Sequence, residues 1–366
     1  MLRIVVVLGC LANLLAPISA SAWGYQGHEV VGSIADRLLK PGARAQVRLI
    51  LNGADLHDPN SPPDLVVRRE LTLQKAAPWA DCVKSVVRHD DGKFHYEVDP
   101  NHLEYEVPCV SFNSAEERAR MEDYARRNWD NCSYAPPPDG IQRGCHNTFH
   151  FDDVAIQRSY FDRNEHGTNP HDLVAAIEAA IAVLAGKSPS SSFAFSFRDK
   201  KEALLLLSHF VGDLHQPLHV GSVYLDAEGR LVDPDTAHWT DPTMETAGGN
   251  LIQDENLSLH REWDDIPTDI GEASTRELLA AAQAVAASSG PIDGWPKAWA
   301  TDTLHVAQTA FKDLKFSPVS PPSPFYKWTV KFDDHLSYLR LMDETKRQQL
   351  AKGGARLAEI LNAIWP

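Results

Sequence analysis

The stretch Ser208 to His219 constrains this chain more than any other. Ala203 to Leu207 is an unbroken apolar run that continues in phase through Phe210, Val211 and Leu214, so it reads as a buried helix. On such a helix His209 and Asp213, four residues apart, project from one face about one turn apart. Pro217 disfavours helical geometry at Gln216, which turns the chain and sends His219 elsewhere. Two imidazoles and a carboxylate on a rigid apolar element are zinc-type ligands, and a carboxylate has two oxygens with which to bridge two ions. One His-x-x-x-Asp pair is ordinarily a hydrogen-bonded core pair. The weight comes from further pairs: His260 with Asp264 at the same spacing, His28, and Asp81 in Pro78-Trp79-Ala80-Asp81.

The first residues read as a signal peptide, residues 1–22. Arg3 supplies the charge, Ile4 to Ala16 the apolar stretch, and Ala20-Ser21-Ala22 the cleavage site. The apolar stretch is too short to span a membrane, and no later segment is long enough, so no membrane anchor is expected. The expected location is secreted or periplasmic. Cleavage after Ala22 exposes Trp23, whose free amine and first carbonyl form a chelate that no internal residue offers. Cys82, Cys109, Cys132 and Cys145 then remain, consistent with two disulfides in an oxidising compartment. Three pairings are possible, and sequence proximity suggests Cys82–Cys109 with Cys132–Cys145. The net charge of −15 argues against a protein that holds nucleic acid on a basic surface. It leaves room for an enzyme that grips one phosphate through metal ions.

The remainder organises around helices, expected at 27–39, 45–51, 65–77, 114–128, 173–184, 256–265, 272–288, 298–314 and 332–364. Residues 82 to 149 read as a disulfide-bearing insertion of short strands, turns and one helix. Tyr224-Leu225-Asp226 and Gly229 to Val232 suggest a hairpin, and Ser317 to Pro324 is Pro/Ser-rich and loose. The expected class is mainly α, in one domain over 23–366.

His-Phe-x-Gly-Asp-x-x-Gln-Pro-Leu-His at 209–219, Gly248-Gly249-Asn250, and Asn256-Leu257 followed by His260-x-x-x-Asp264 are specific in combination. With Trp23-Gly24 and His28 they resemble the zinc-dependent, single-strand-preferring nucleases of the fungal S-one/P-one type, relatives of the bacterial zinc phospholipases C. The resemblance implies a single-domain helical bundle with three clustered Zn2+. One is held by Asp81, a histidine flanked by aromatics, His209 and Asp213. A second is held by the Trp23 amine and carbonyl, His28 and Asp213, and a third by His219, His260 and Asp264. Lys84 is where the family places a cation over the phosphate, so Asp81, Lys84 and Asp213 are the implied catalytic residues.

The aromatic-flanked histidine has two candidates, His95 in Phe94-His95-Tyr96 and His150 in Phe149-His150-Phe151. The resemblance favours His150, because Phe151 can stack a base and Asp153 can bind its edge. Asn250 is the third implied substrate residue, and His215 is expected to orient a ligand from behind. The segment 221–249 departs from the family pattern.

The implied reaction is hydrolysis of single-stranded DNA or RNA to 5′-phosphates by hydroxide bridging two zincs, with the third aiding the leaving group. Dephosphorylation of 3′-nucleotides by a monomer is implied as well. Two rivals use the same ligands: a zinc-dependent phospholipase C, and a non-catalytic exported zinc-binding protein.

Overall fold

Capping residues set the helix boundaries in the computed structural model, which describes residues 23–53, 70–98, 106–130, 144–187, 195–236, 242–271 and 273–366. Helix α1 runs Tyr25–Leu38, and Pro41 opens α2 (Pro41–Asn52), where its missing N–H costs no hydrogen bond. The short α3 (Leu73–Ala76) and α4 (Trp79–Val83) follow, the latter carrying Asp81. Strands β1 (Val86–Arg88) and β2 (Phe94–Tyr96) pair antiparallel ahead of α5 (Ala115–Arg127). Asp172 accepts from the Ala175 amide to start α6 (Leu173–Leu184), and Asp199 does the same from Glu202 for α7 (Lys200–Asp213). Strand β3 (Val154–Ala155) lies parallel to β4 (Gly221–Ser222), and β5 (Tyr224–Leu225) pairs antiparallel with β6 (Leu231–Val232). Then come β7 (Ile252–Asp254), β8 (Leu257–Ser258) and α8 (Leu259–Asp264). Helices α9 (Arg276–Gln283) and α10 (Trp295–Ala310), strands β9 (Lys315–Pro318) and β10 (Trp328–Lys331), and the long α11 (His335–Ile364) complete the chain.

The fold is mainly α, as expected. Helix α7 is its axis: every residue from Glu202 to Asp213 is buried. Helix α6 packs along it, and α1, α2, α4 and α11 surround it. Leu204 to Leu207 are all inside, and truncating any one to alanine costs about 2–5 kcal/mol. Burial on all sides makes α7 a rigid support for His209 and Asp213.

The 82–149 segment is latched to this axis by charge. Arg120 makes a two-pronged pair with Asp199 at 3.0 and 2.8 Å, and Arg127 pairs with the fully buried Glu202 at 2.6 Å. Cys82 and Cys109 form the expected disulfide. Cys145 is also disulfide-bonded, and Cys132 lies outside the described residues.

Several expectations are corrected. Ser317 and Pro318, expected to begin a loose stretch, lie in the strand Lys315–Pro318. That strand enters a four-stranded sheet ordered β8-β7-β10-β9, in which β10 runs parallel to β7. This sheet covers a second apolar cluster containing Ile252, Leu259, Trp263, Trp328 and Met342. The helix expected over 65–77 covers only Leu73–Ala76 of the described residues, because Thr72 caps it. The one expected over 256–265 begins at Leu259, because Ser258 accepts from the Arg261 amide and caps it there.

Candidate active site

Helix α7 presents His209 and Asp213 toward α1, which brings His28, and toward the loop after residue 149, which brings His150. Helix α4 adds Asp81. Asp213 is fully buried and has histidines against both oxygens. Oδ1 lies 3.3 Å from His28 Nε2, and Oδ2 lies 3.0 Å from His150 Nδ1 and 3.2 Å from His209 Nε2. Asp81 Oδ1 is 3.7 Å from His209 Nε2 and 2.7 Å from Lys84 Nζ. Ligating atoms of His28, His209 and Asp213 cluster within 4.8 Å, and so do those of Asp81, His150 and His209. A third group, His219, His260 and Asp264, meets the same criterion. His95 is in none of these groups. It is exposed on β2 with its ring against His89, so the structure brings His150 to Asp213 and leaves His95 outside.

The surroundings show why these side chains fit metal ions. His209 Nδ1 donates to the Ala77 carbonyl at 2.8 Å, His219 Nδ1 to the His150 carbonyl at 2.7 Å, and His260 Nδ1 to the Gly248 carbonyl at 2.8 Å. A carbonyl only accepts, so each of these rings carries a proton on Nδ1 and turns its Nε2 inward. The Nε2 atoms of His219 and His260 then face each other across 3.1 Å. Two lone pairs at that separation repel unless a cation or a proton lies between them. Asp264 Oδ2, Asp213 Oδ1 and both nitrogens of His28 are buried and make no hydrogen bond, an expensive arrangement for side chains that only fold. Gly212 permits the close approach: a Cβ there would sit 2.7 Å from His28 Nδ1.

Charge follows the same geometry. Burial alone would raise Asp213 and Asp81, but the adjoining cations, His209 for Asp213 and Lys84 for Asp81, hold both below the ordinary carboxylate range. Burial, then Lys84, pushes His150 down to about 3, which keeps its ring neutral and available as a ligand. Burial, then Glu245, pushes Asp153 up to about 7.

Trp23 lies at the junction of the groups. Its buried indole donates to the Gly212 carbonyl at 2.9 Å, and the Gly24 amide donates to the Asp264 carbonyl at 2.9 Å. Phe151 and Asp153 are half-buried beyond His150. The Asn250 side-chain amide donates to the Ala247 carbonyl in its own turn at 2.9 Å, so its visible task is to hold that turn. His215 does not stand behind a ligand. Its Nδ1 donates to the Val211 carbonyl, and its Nε2 faces the Arg356 guanidinium at 3.1 Å on the far side of α7. Behind Asp264 stands Gln216, a residue of the 209–219 motif to which the sequence reading assigns no role. Gln216 Nε2 donates to Asp264 Oδ1 at 2.8 Å.

A family model described as S1/P1 Nuclease matches residues 23–124 and 114–366. The chain belongs to the S1/P1 nuclease family. Endonuclease 2 of Arabidopsis thaliana is 26% identical over 375 residues, covering 100% of this chain and 98% of that protein. Endonuclease 4 and Endonuclease 5 of the same plant are 28% and 29% identical, each over 45% of this chain and about half of their own length. The family is metal-dependent, and its nuclease activity implies nucleic acid as substrate. Among the described residues, no helix is long and apolar enough to cross a membrane.

Proposed function

We propose that the chain is a zinc-dependent endonuclease that cuts single-stranded DNA or RNA at the P–O3′ bond, leaving 5′-phosphates, and that also removes the phosphate of 3′-nucleotides. The observation that carries this reading is the set of inward-facing imidazole Nε2 atoms closed by two buried carboxylates. Asp81, His150, His209 and Asp213 would hold one Zn2+, the Trp23 amine and carbonyl with His28 and Asp213 a second, and His219, His260 and Asp264 a third. When bound, the ions would supply Lewis acidity for the phosphate and lower the pKa of water to about 7.

The chain's own groups do the rest. Asp213 fixes the relation between the first two sites by offering one oxygen to each side. Lys84, held by Asp81 at 2.7 Å, adds positive charge for the phosphate as negative charge builds on it. Phe151 stacks only on a base that has left a duplex, which gives the single-strand preference a physical cause. Asp153 meets the edge of that base, and Asn250 holds the neighbouring turn. Residues 1–22 direct export and are removed after Ala22, which frees the Trp23 amine, and the processed monomer acts outside the cytoplasm.

The test incubates purified processed protein with a single-stranded oligonucleotide and with 3′-AMP, before and after EDTA treatment and zinc restoration. Products ending in 5′-phosphate, lost with EDTA and restored by zinc, are the expected result. Activity that survives removal of the metal, or turnover of phosphatidylcholine in its place, contradicts the proposal.

A further inference from the structure

The segment 221–249 supplies none of the proposed zinc ligands, yet it folds back on Asp153. Tyr224 on β5 bridges to Glu245, and its hydroxyl donates to the Asp153 carbonyl. The His166 ring lies edge-on against Tyr224 with centroids 5.3 Å apart, and His166 Nε2 is 3.9 Å from a Glu245 carboxylate oxygen. The loop bearing His166 closes onto Asp153 through Gly167. The Asp153 amide donates to the Gly167 carbonyl at 3.0 Å, and Gly167 has φ +90° with its Cβ position only 2.1 Å from the Asp153 carbonyl oxygen. Glu245 is also the strongest charge acting on the Asp153 carboxyl. The Glu245 carboxyl and the His166 imidazole therefore share the Tyr224 neighbourhood with Asp153, two residues along the chain from Phe151. The Glu245 and His166 side chains are 39% and 34% exposed, so an incoming group can reach them.

We propose that Glu245, set against His166, decides which base the Phe151 pocket accepts, and that it selects guanine. The inference rests on the reading of Phe151 and Asp153 as a base pocket. Guanine shows two donors side by side on its pairing edge, N1–H and the N2 amino group, followed by the O6 acceptor. Neighbouring carboxyls take the two donors, and an imidazole N–H takes O6. Adenine and cytosine each place a ring lone pair beside their amino group, which a carboxylate repels. Uracil and thymine place a carbonyl oxygen on either side of a single N–H. A polar edge read this way discriminates through binding, so the effect belongs in KM.

The experiment measures kcat/KM for 3′-GMP, 3′-AMP, 3′-CMP and 3′-UMP at one pH, with zinc content recorded for every protein. The parent enzyme is expected to prefer 3′-GMP over 3′-UMP by about tenfold. Glu245→Gln is expected to bring that ratio within about twofold through a higher KM for 3′-GMP, with zinc content as in the parent. His166→Asn is expected to lower the ratio less. A parent that hydrolyses all four nucleotides equally well, or a Glu245→Gln variant that keeps the guanine preference, overturns this assignment alone. A zinc-loaded parent that hydrolyses none of them overturns it together with the reading on which it rests.

Discussion

Helices α7 and α8 carry the same His-x-x-x-Asp pair and hold it up by different means. In α7, 14 residues long, the pair sits on a helix buried on every side, and Asp213 is approached on both oxygens by three histidines. Helix α8 has only six residues, too few to be stable alone. It is held from outside. Ser258 caps it, Trp263 Nε1 donates to the Tyr338 hydroxyl at 2.9 Å, and Gln216 fixes Asp264. The buried Lys346 ammonium donates to the Glu262 and Asp265 carbonyls at its C-terminal end. One local spacing thus serves two supports, one built from apolar packing and one from polar tethers. The first is insensitive to any single hydrogen bond, and the second depends on each of them.

The comparison breaks first at its carboxylates. Asp213→Asn should remove two of the three proposed zincs and lower activity on the order of a thousandfold, whereas Asp264→Asn should remove one. Metal analysis beside single-strand cleavage checks this, and equal zinc loss in the two variants would refute the shared role of Asp213. Gln216→Leu leaves α7 intact and should weaken only the third zinc, by about 10- to 100-fold in affinity, measured by competition with a chelator. Equal weakening of all three would mean that Gln216 acts on the fold instead.

Much of this architecture is legible locally. The 200–213 helix, both histidine–aspartate pairs and the 224–232 hairpin come from apolar phase, fixed spacing and turn residues. The preference for His150 over His95 rests on the residues just after each histidine, and the structure places His150 against Asp213. The differences have physical causes. Strand β10 pairs with β7 across a long stretch of sequence, and no local periodicity announces a partner so distant. His215 departs from expectation although its position holds the answer: two residues beyond Asp213, it emerges on nearly the opposite side of the helix. Gln216 precedes a proline that ends the helix, and its direction depends on where α8 lies in space. The meeting of His166 with Glu245 is likewise a tertiary fact.

Smaller effects sharpen the contrast. Lys346→Met removes a buried donor from the end of α8 and leaves two carbonyls unpaired, so it should cost about 1–3 kcal/mol in denaturant unfolding. A comparable loss in zinc affinity should appear at the third site alone. The smallest effect is one of pH. Asp153 is raised from 3.8 to about 7, first by burial and then by Glu245, so the folded state binds its proton more tightly than the unfolded state does. Its contribution is therefore fully present below pH 3.8 and falls as pH rises to about 7. Asp153→Asn should flatten that part of the stability profile of the metal-free protein. An unchanged profile would show that Asp153 titrates normally.

The most direct test of the central claim is anomalous diffraction at the zinc edge from crystals of protein beginning at Trp23. The account predicts three peaks: one bounded by Asp81, His150, His209 and Asp213, one by Trp23, His28 and Asp213, and one by His219, His260 and Asp264. A peak at His95, or fewer than two peaks among these residues, would contradict it.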